Sequence, residues 1–190
     1  SMGDVGQVTP VQANIRNIGS VHSAVVGADL VVNLVGILNE SGSQRFPVVQ
    51  TQGAQNVATA AAAAGVQSFV HLSAIGASQT SPSAYARSKA AGEEAVLEAF
   101  PRASILRPSV VFGPHDQFFN RFAALSKFPM PLPVFGCGFP KMTMEGLKIY
   151  GDGGTRFQPV YVGDVAQAII ACLENAETNG KIYELGGPQI

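Results

Sequence analysis

The chain has no tryptophan, and only two of its 190 residues are cysteine. Cys137 and Cys172 lie far apart and in no metal-ligand spacing, which argues against a disulfide scaffold and for a reduced, cytosolic-type compartment. Histidine is equally sparse. His22, His71 and His115 are scattered without a ligand pattern, so no metal site is assigned. Charged residues make up 13% of the chain and the formal net charge is -1, which gives no electrostatic reason to expect nucleic acid or an anionic membrane as partner. No apolar run reaches the roughly 18 residues of a membrane span, and no signal peptide is visible. What the sequence does have is 46% hydrophobic content, enough for a chain of this length to bury one sizeable core.

That hydrophobic content is organised as short valine-rich runs alternating with alanine-rich stretches. Residues 8–13 read as a short strand and residues 20–26 as a helix. Residues 29–35, from Asp29 through Leu34 and Val35, form a nearly unbroken apolar run, as expected for a strand covered on both faces. A helix is expected over 46–64, with Gly65 as its C-cap. A strand follows over 68–73. Ser81-Pro82 supplies a cap residue and a first-turn proline for a helix reaching Phe100. A further strand over 103–107 is ended by Pro108. This alternation implies βαβ units, a parallel sheet and the α/β class, in which ligands bind beyond the carboxyl ends of the strands.

The chemistry centres on Tyr85 and Lys89, four residues apart within Ser83-Ala84-Tyr85-Ala86-Arg87-Ser88-Lys89. On a helix the two side chains share one face about a turn apart, although an exposed pair on an ordinary helix has the same spacing. A phenol has a free pKa of about 10, and a neighbouring ammonium lowers it toward use in proton transfer. Gly36 and Pro108 close two other strands and should converge on the same sheet edge, with Gly36 allowing close approach of a ligand to the backbone. Asp164, within Val162-Gly163-Asp164-Val165-Ala166, reads as a helix cap rather than an acid. His115-Asp116 reads as a solvated loop.

Five segments then carry a family resemblance: Gly27 to Gly36, Val70-His71-Leu72-Ser73-Ala74, Tyr85 to Lys89, Leu106-Arg107-Pro108 through Pro114, and Pro159-Val160-Tyr161 through Ala166. In this order they resemble the NAD-dependent epimerase/dehydratase family, among the extended and atypical short-chain dehydrogenases. Phe118-Phe119-Asn120-Arg121-Phe122 and Arg156-Phe157-Gln158-Pro159-Val160 are nearer to the branch of the nucleotide-binding accessory subunit of respiratory complex I and its bacterial relatives. The resemblance implies a Rossmann-like, doubly wound parallel sheet. It implies that Lys89 bonds the nicotinamide ribose and supports Tyr85, with Ser73 near a substrate oxygen. Leu34, Val35 and Gly36 would line the cofactor, Pro108, Ser109 and Val111 would face the carboxamide, and Asn14 would stand at the adenine position. The cofactor implied is NADP(H) or NAD(H), with a slight preference for NADP(H).

Two departures shape the functional expectation. Ala74 stands where many active members carry a second hydroxyl, so the proton relay is incomplete and the cofactor serves structure or sensing. The family also opens with a strand, a glycine-rich turn and a phosphate-binding helix, and Met2-Gly3-Asp4-Val5-Gly6 does not fit that pattern. Residues 1–190 are therefore expected to be a single incomplete dinucleotide-binding domain, without the first βαβ unit and the C-terminal end, and with an insertion at 137–153. That insertion reads as a surface hairpin or loop. The alternatives are a working oxidoreductase or epimerase using Tyr85 and Lys89, and a truncated scaffold without dinucleotide. Expected partners are a respiratory-chain protein or a second copy, with a cytoplasmic location in bacteria or the matrix side of a mitochondrion.

Overall fold

The computed structural model describes residues 7–116, 119–120, 141–143, 146–148 and 157–187. Two compact units emerge, Ser1–Pro108 with Ala166–Leu185, and Ser109–Val165 with Gly186–Ile190.

The first unit is built on four parallel strands in the order β1-β2-β3-β8: β1 is Leu30–Asn33, β2 Ser68–Leu72, β3 Ser104–Pro108 and β8 Ile182–Leu185. In register, Val31 pairs with Phe69, Asn33 with His71, and Leu72 with Leu106. Helix α1 (Ile18–Val25) is capped by Asn17, whose side chain accepts from the Ser20 amide. Helix α2 (Gly53–Ala63) is preceded by a π-helical segment, Pro47–Gln52. It ends at Gly65, where φ is +71° and the alanine run is cut by a conformation that glycine adopts without cost. Helix α3 (Ala84–Ala99) starts at Ser83, which accepts from the Ala86 amide.

Alternate residues of each strand serve opposite faces of the sheet. Phe69 packs with Val21, Val25, Ala58, Ala61, Val96 and Phe100 from α1, α2 and α3. Val70 and Leu106 turn the other way, against Cys172, Ile169 and Leu173 of helix α4 (Val162–Glu174). Helices thus cover both faces, and the architecture is the doubly wound α/β arrangement expected from the sequence.

Three expectations need correction. Residues 8–13 form no strand; they are exposed coil, because Val8 and Val11 face solvent and no neighbouring strand pairs with them. The expected two-sided covering of the strand at 29–35 is not found. The strand is only Leu30–Asn33, it lies at the end of the sheet, and Leu30 and Val32 are exposed. The α3 cap is Ser83 rather than Ser81-Pro82: Ser83 is itself extended, φ -77° and ψ 122°, and its side chain takes the Ala86 amide of the first turn.

In the second unit β4 (Val111–Phe112) pairs in parallel with β7 (Val160–Tyr161), and Phe112 stacks obliquely near Tyr161 with ring centroids 5.7 Å apart. The Asp116 carboxylate accepts from the Asn120 amide at 3.3 Å, which makes it a local cap and not half of a catalytic pair with His115. Strands β5 (Lys141–Thr143) and β6 (Gly146–Lys148) pair antiparallel. The rest of the expected insertion at 137–153, including Cys137 and Tyr150, lies outside the described residues, as do Phe118, Arg121, Phe122 and Arg156.

Candidate functional site

The carboxyl half of the sheet turns polar on the face that meets α3. The two-residue alternation that puts Val31, Phe69 and Ile105 inward also puts Asn33, His71, Ser73 and Arg107 on that face, one or two pleats further along. Helix α3 answers with Tyr85, Lys89 and Glu93, each four residues after the last and so on one stripe. Asn33, His71, Ser73, Lys89 and Glu93 are all buried.

Lys89 is the centre of this arrangement. It is only 5% exposed, and its Nζ donates to the Leu72 carbonyl at 2.8 Å, at the end of β2. A Cβ added to Gly36 would lie 3.9 Å from that Nζ, so the loop after β1 passes directly over the ammonium. Burial pulls the Lys89 pKa down to about 8, partly countered by the Glu93 carboxylate. Its charge in turn adds to the burial that holds His71 down at about 3, so that imidazole is neutral. Asn33 orients it. The Asn33 Oδ1 accepts from the Val35 amide at 3.1 Å, leaving Nδ2 to donate to His71 Nδ1 at 3.1 Å, which assigns the ring proton to Nε2.

The loop carrying Leu34, Val35 and Gly36 is therefore fixed from below. Asn33 holds its start, and buried Gln50 donates from Nε2 to the Ile37 carbonyl at 3.0 Å. Gln50 sits in the π-helical segment, a local irregularity of the kind found at functional sites. Above this anchored backbone Leu34 and Val35 stand 59% and 46% exposed, and Ile75 after β2 is also exposed. The strand ends thus bring together a buried cation, Gly36 and exposed apolar side chains.

Tyr85 and Ser73 each have a protein partner of their own. Burial raises the Tyr85 phenol rather than lowering it, and its ring packs edge-on against Phe46 with centroids 5.8 Å apart. Burial disfavours the charged phenolate, and that desolvation sets the direction of the shift. The Ser73 hydroxyl donates to the Glu93 carboxylate. Glu93, 3% exposed, also takes two bonds from Arg107, Nε to Oε1 at 2.9 Å and Nη2 to Oε2 at 2.6 Å.

The remaining candidates are divided between the two units. Pro108 is buried at the end of β3, and its carbonyl accepts the Ile75 amide at 3.0 Å. Ser109 and Val111 belong to the second unit, where Val111 pairs with Val160. Asn14 is exposed before α1, and its Oδ1 accepts from the Arg16 amide and Nε at 3.1 and 3.3 Å. Sequence reasoning missed Asn33, Gln50, Glu93 and Arg107 as site residues. Glu93 was detectable as the next step of the Tyr85–Lys89 stripe, and Asn33 and Arg107 by strand alternation; Gln50 had no such signal. Among the described residues no group of three acidic, histidine or cysteine side chains could hold a metal ion.

A parallel sheet covered on both faces, with a tyrosine–lysine stripe at its carboxyl edge, is the architecture of the short-chain dehydrogenase type. The chain belongs to the NAD dependent epimerase/dehydratase family, whose pattern matches residues 3–186. Within the wider set of relatives it is similar to NADH dehydrogenase [ubiquinone] 1 alpha subcomplex subunit 9, mitochondrial, from Arabidopsis thaliana, at 39% identity over 100% of this chain and 44% of that protein. The subunit of the same name from Mus musculus is 35% identical over 98% of this chain and 46% of that protein. The chain thus spans about half the length of these relatives. Among solved structures, dTDP-4-dehydrorhamnose reductase from Bacillus anthracis in complex with NADP superposes with a TM-score of 0.71 at 20% identity, over 93% of this chain and 63% of that one. A dTDP-glucose 4,6-dehydratase double mutant from Streptomyces venezuelae, with NAD bound, gives 0.68 at 23%, over 93% and 57%. These last two likenesses establish the fold.

Proposed function

We propose that this chain forms the nicotinamide-ribose side of an NAD(P)(H) site, in a protein of the complex I accessory-subunit type whose dinucleotide serves structure or sensing. The carrying observation is the buried Lys89 ammonium held on the Leu72 carbonyl beneath Gly36. An ammonium so placed can donate to ribose hydroxyls, while Leu34 and Val35 offer apolar surface to the nicotinamide ring. The NAD- and NADP-bound structural neighbours and the complex I relatives support the reading. We assign a slight preference for NADP(H), Asn14 to the adenine side, and Pro108, Ser109 and Val111 to the carboxamide side. The partner is a respiratory-chain protein or a second copy, on the matrix side of a mitochondrion or in a bacterial cytoplasm; no helix of the described residues is long and apolar enough to cross a membrane.

Turnover through Tyr85 is the second reading, and the geometry disfavours it. The phenol is pushed up and Ser73 is committed to Glu93. Calorimetric titration with NADPH and NADH tests the proposal. Binding that Lys89→Met weakens at least tenfold supports it, and absence of binding to the full-length protein contradicts it.

A further inference from the structure

The side chains beneath the site form a chain of ionic contacts that a binding role for Lys89 does not by itself require. Glu93 lies one turn beyond Lys89 on the same stripe of α3, and its carboxylate is gripped from two strands: by the Ser73 hydroxyl after β2 and by the Arg107 guanidinium of β3. Arg107 reaches outward as well, with Nη1 3.5 Å from Glu184 Oε1 on β8. A carboxylate buried this deeply is costly unless each oxygen is satisfied, and here both are. The groups facing Lys89 can be named element by element. They are Tyr85 and Glu93 on α3, neutral His71 and the Leu72 carbonyl on β2, and the Gly36 backbone after β1.

We propose that Glu93 is the positioning residue of this site: clamped by Arg107 and Ser73 one turn from Lys89 on α3, it fixes a negative charge on the stripe that carries the buried ammonium and withdraws the Ser73 hydroxyl from any bound ligand. The Ser73 hydrogen points to Glu93, so Ser73 presents no free donor above the sheet. Burial alone would neutralise Lys89 further, and Glu93 opposes this through the helix. Arg107 tempers Glu93 in turn. Removing the carboxylate and removing the guanidinium should therefore move Lys89 in opposite directions, whereas a purely mechanical clamp would move it in neither. The consequence for nucleotide affinity rests on the reading that Lys89 contacts the dinucleotide.

The test is a pH titration of the lysine ¹³Cε signals of the protein, with the Lys89 signal assigned by its loss in Lys89→Arg. In the wild type Lys89 titrates at about 8, below the ordinary lysine value. In Glu93→Gln its midpoint falls by about one pH unit or more, the size expected on losing an adjacent opposite charge. A folded Glu93→Gln protein with an unchanged Lys89 midpoint would overturn the proposal. Should Glu93→Gln fail to fold, Arg107→Met decides: a midpoint raised above wild type supports the proposal, and one unchanged or lowered refutes it. Titration of the full-length protein, carrying the same substitutions, with NADPH separates the two readings. Lys89 shifts without nucleotide binding would uphold Glu93's role and refute the dinucleotide site; binding with no Lys89 shift would do the reverse.

Discussion

Tyr85 shows how one environment can reverse the meaning of a motif. Its four-residue spacing from Lys89 suggests an acidified phenol, yet packing against Phe46 and partial burial favour the neutral form. We expect the phenol to ionise above the ordinary tyrosine value of about 10. Absorbance titration near the phenolate band, wild type against Tyr85→Phe, checks this, and ionisation below that value would restore the case for acid–base chemistry. His71 gives a second prediction. Its folded pKa of about 3 lies below the unfolded value of about 6.5, so between these limits the unfolded chain binds more protons and stability falls as pH falls. The loss is about 1.4 kcal/mol per pH unit across that window. Urea unfolding at pH 7, 6, 5 and 4 should show His71→Gln with a shallower acid decline than wild type; equal slopes would count against a buried neutral imidazole.

At the level of elements, most of the order of strands and helices was readable, because valine runs and alanine runs differ in both period and length. The helix at 46–64 and its stop at Gly65 follow from composition and a single left-handed glycine. What was not readable is instructive. Residues 8–13 have the valines of a strand but no neighbour to pair with, and neighbours are a tertiary fact. The apolar run at 29–35 suggested burial on both faces, whereas Leu30 and Val32 are exposed at the end of the sheet. The π-helical turn at Pro47–Gln52 has no periodicity signal, yet it brings the Gln50 carbonyl against α3. There a Cβ on Gly92 would come 2.2 Å from the Gln50 oxygen, a clash with backbone that no rotamer change relieves. Gly92→Ala should cost about 1–3 kcal/mol through forced separation of the two helices, despite alanine's better helix propensity. Thermal or urea unfolding measures it, and a stabilised variant would show that the contact is looser than drawn.

Across the whole molecule, polarity is graded along the sheet. In β2 and β3 the buried apolar pairs Phe69-Val70 and Ile105-Leu106 follow one buried serine each, Ser68 and Ser104, and the carboxyl ends of the strands gather Asn33, His71, Ser73 and Arg107 on the face that meets Lys89 and Glu93. The sequence encodes this gradient through two-residue alternation in the strands and four-residue steps in α3. It became legible only once the register placed the strands side by side. Central β2 and β3 should hold their amide hydrogens longest, and β1, with one unpaired edge among the described residues, should exchange faster. Hydrogen exchange by NMR would contradict the layout if β1 amides matched those of β2. The central claim is that the buried Lys89 serves a nicotinamide dinucleotide. Calorimetric titration of the full-length protein and its Lys89→Met variant with NADPH tests it most directly. The account predicts saturable binding that the variant weakens at least tenfold, and equal affinity in both proteins, or none in either, would contradict it.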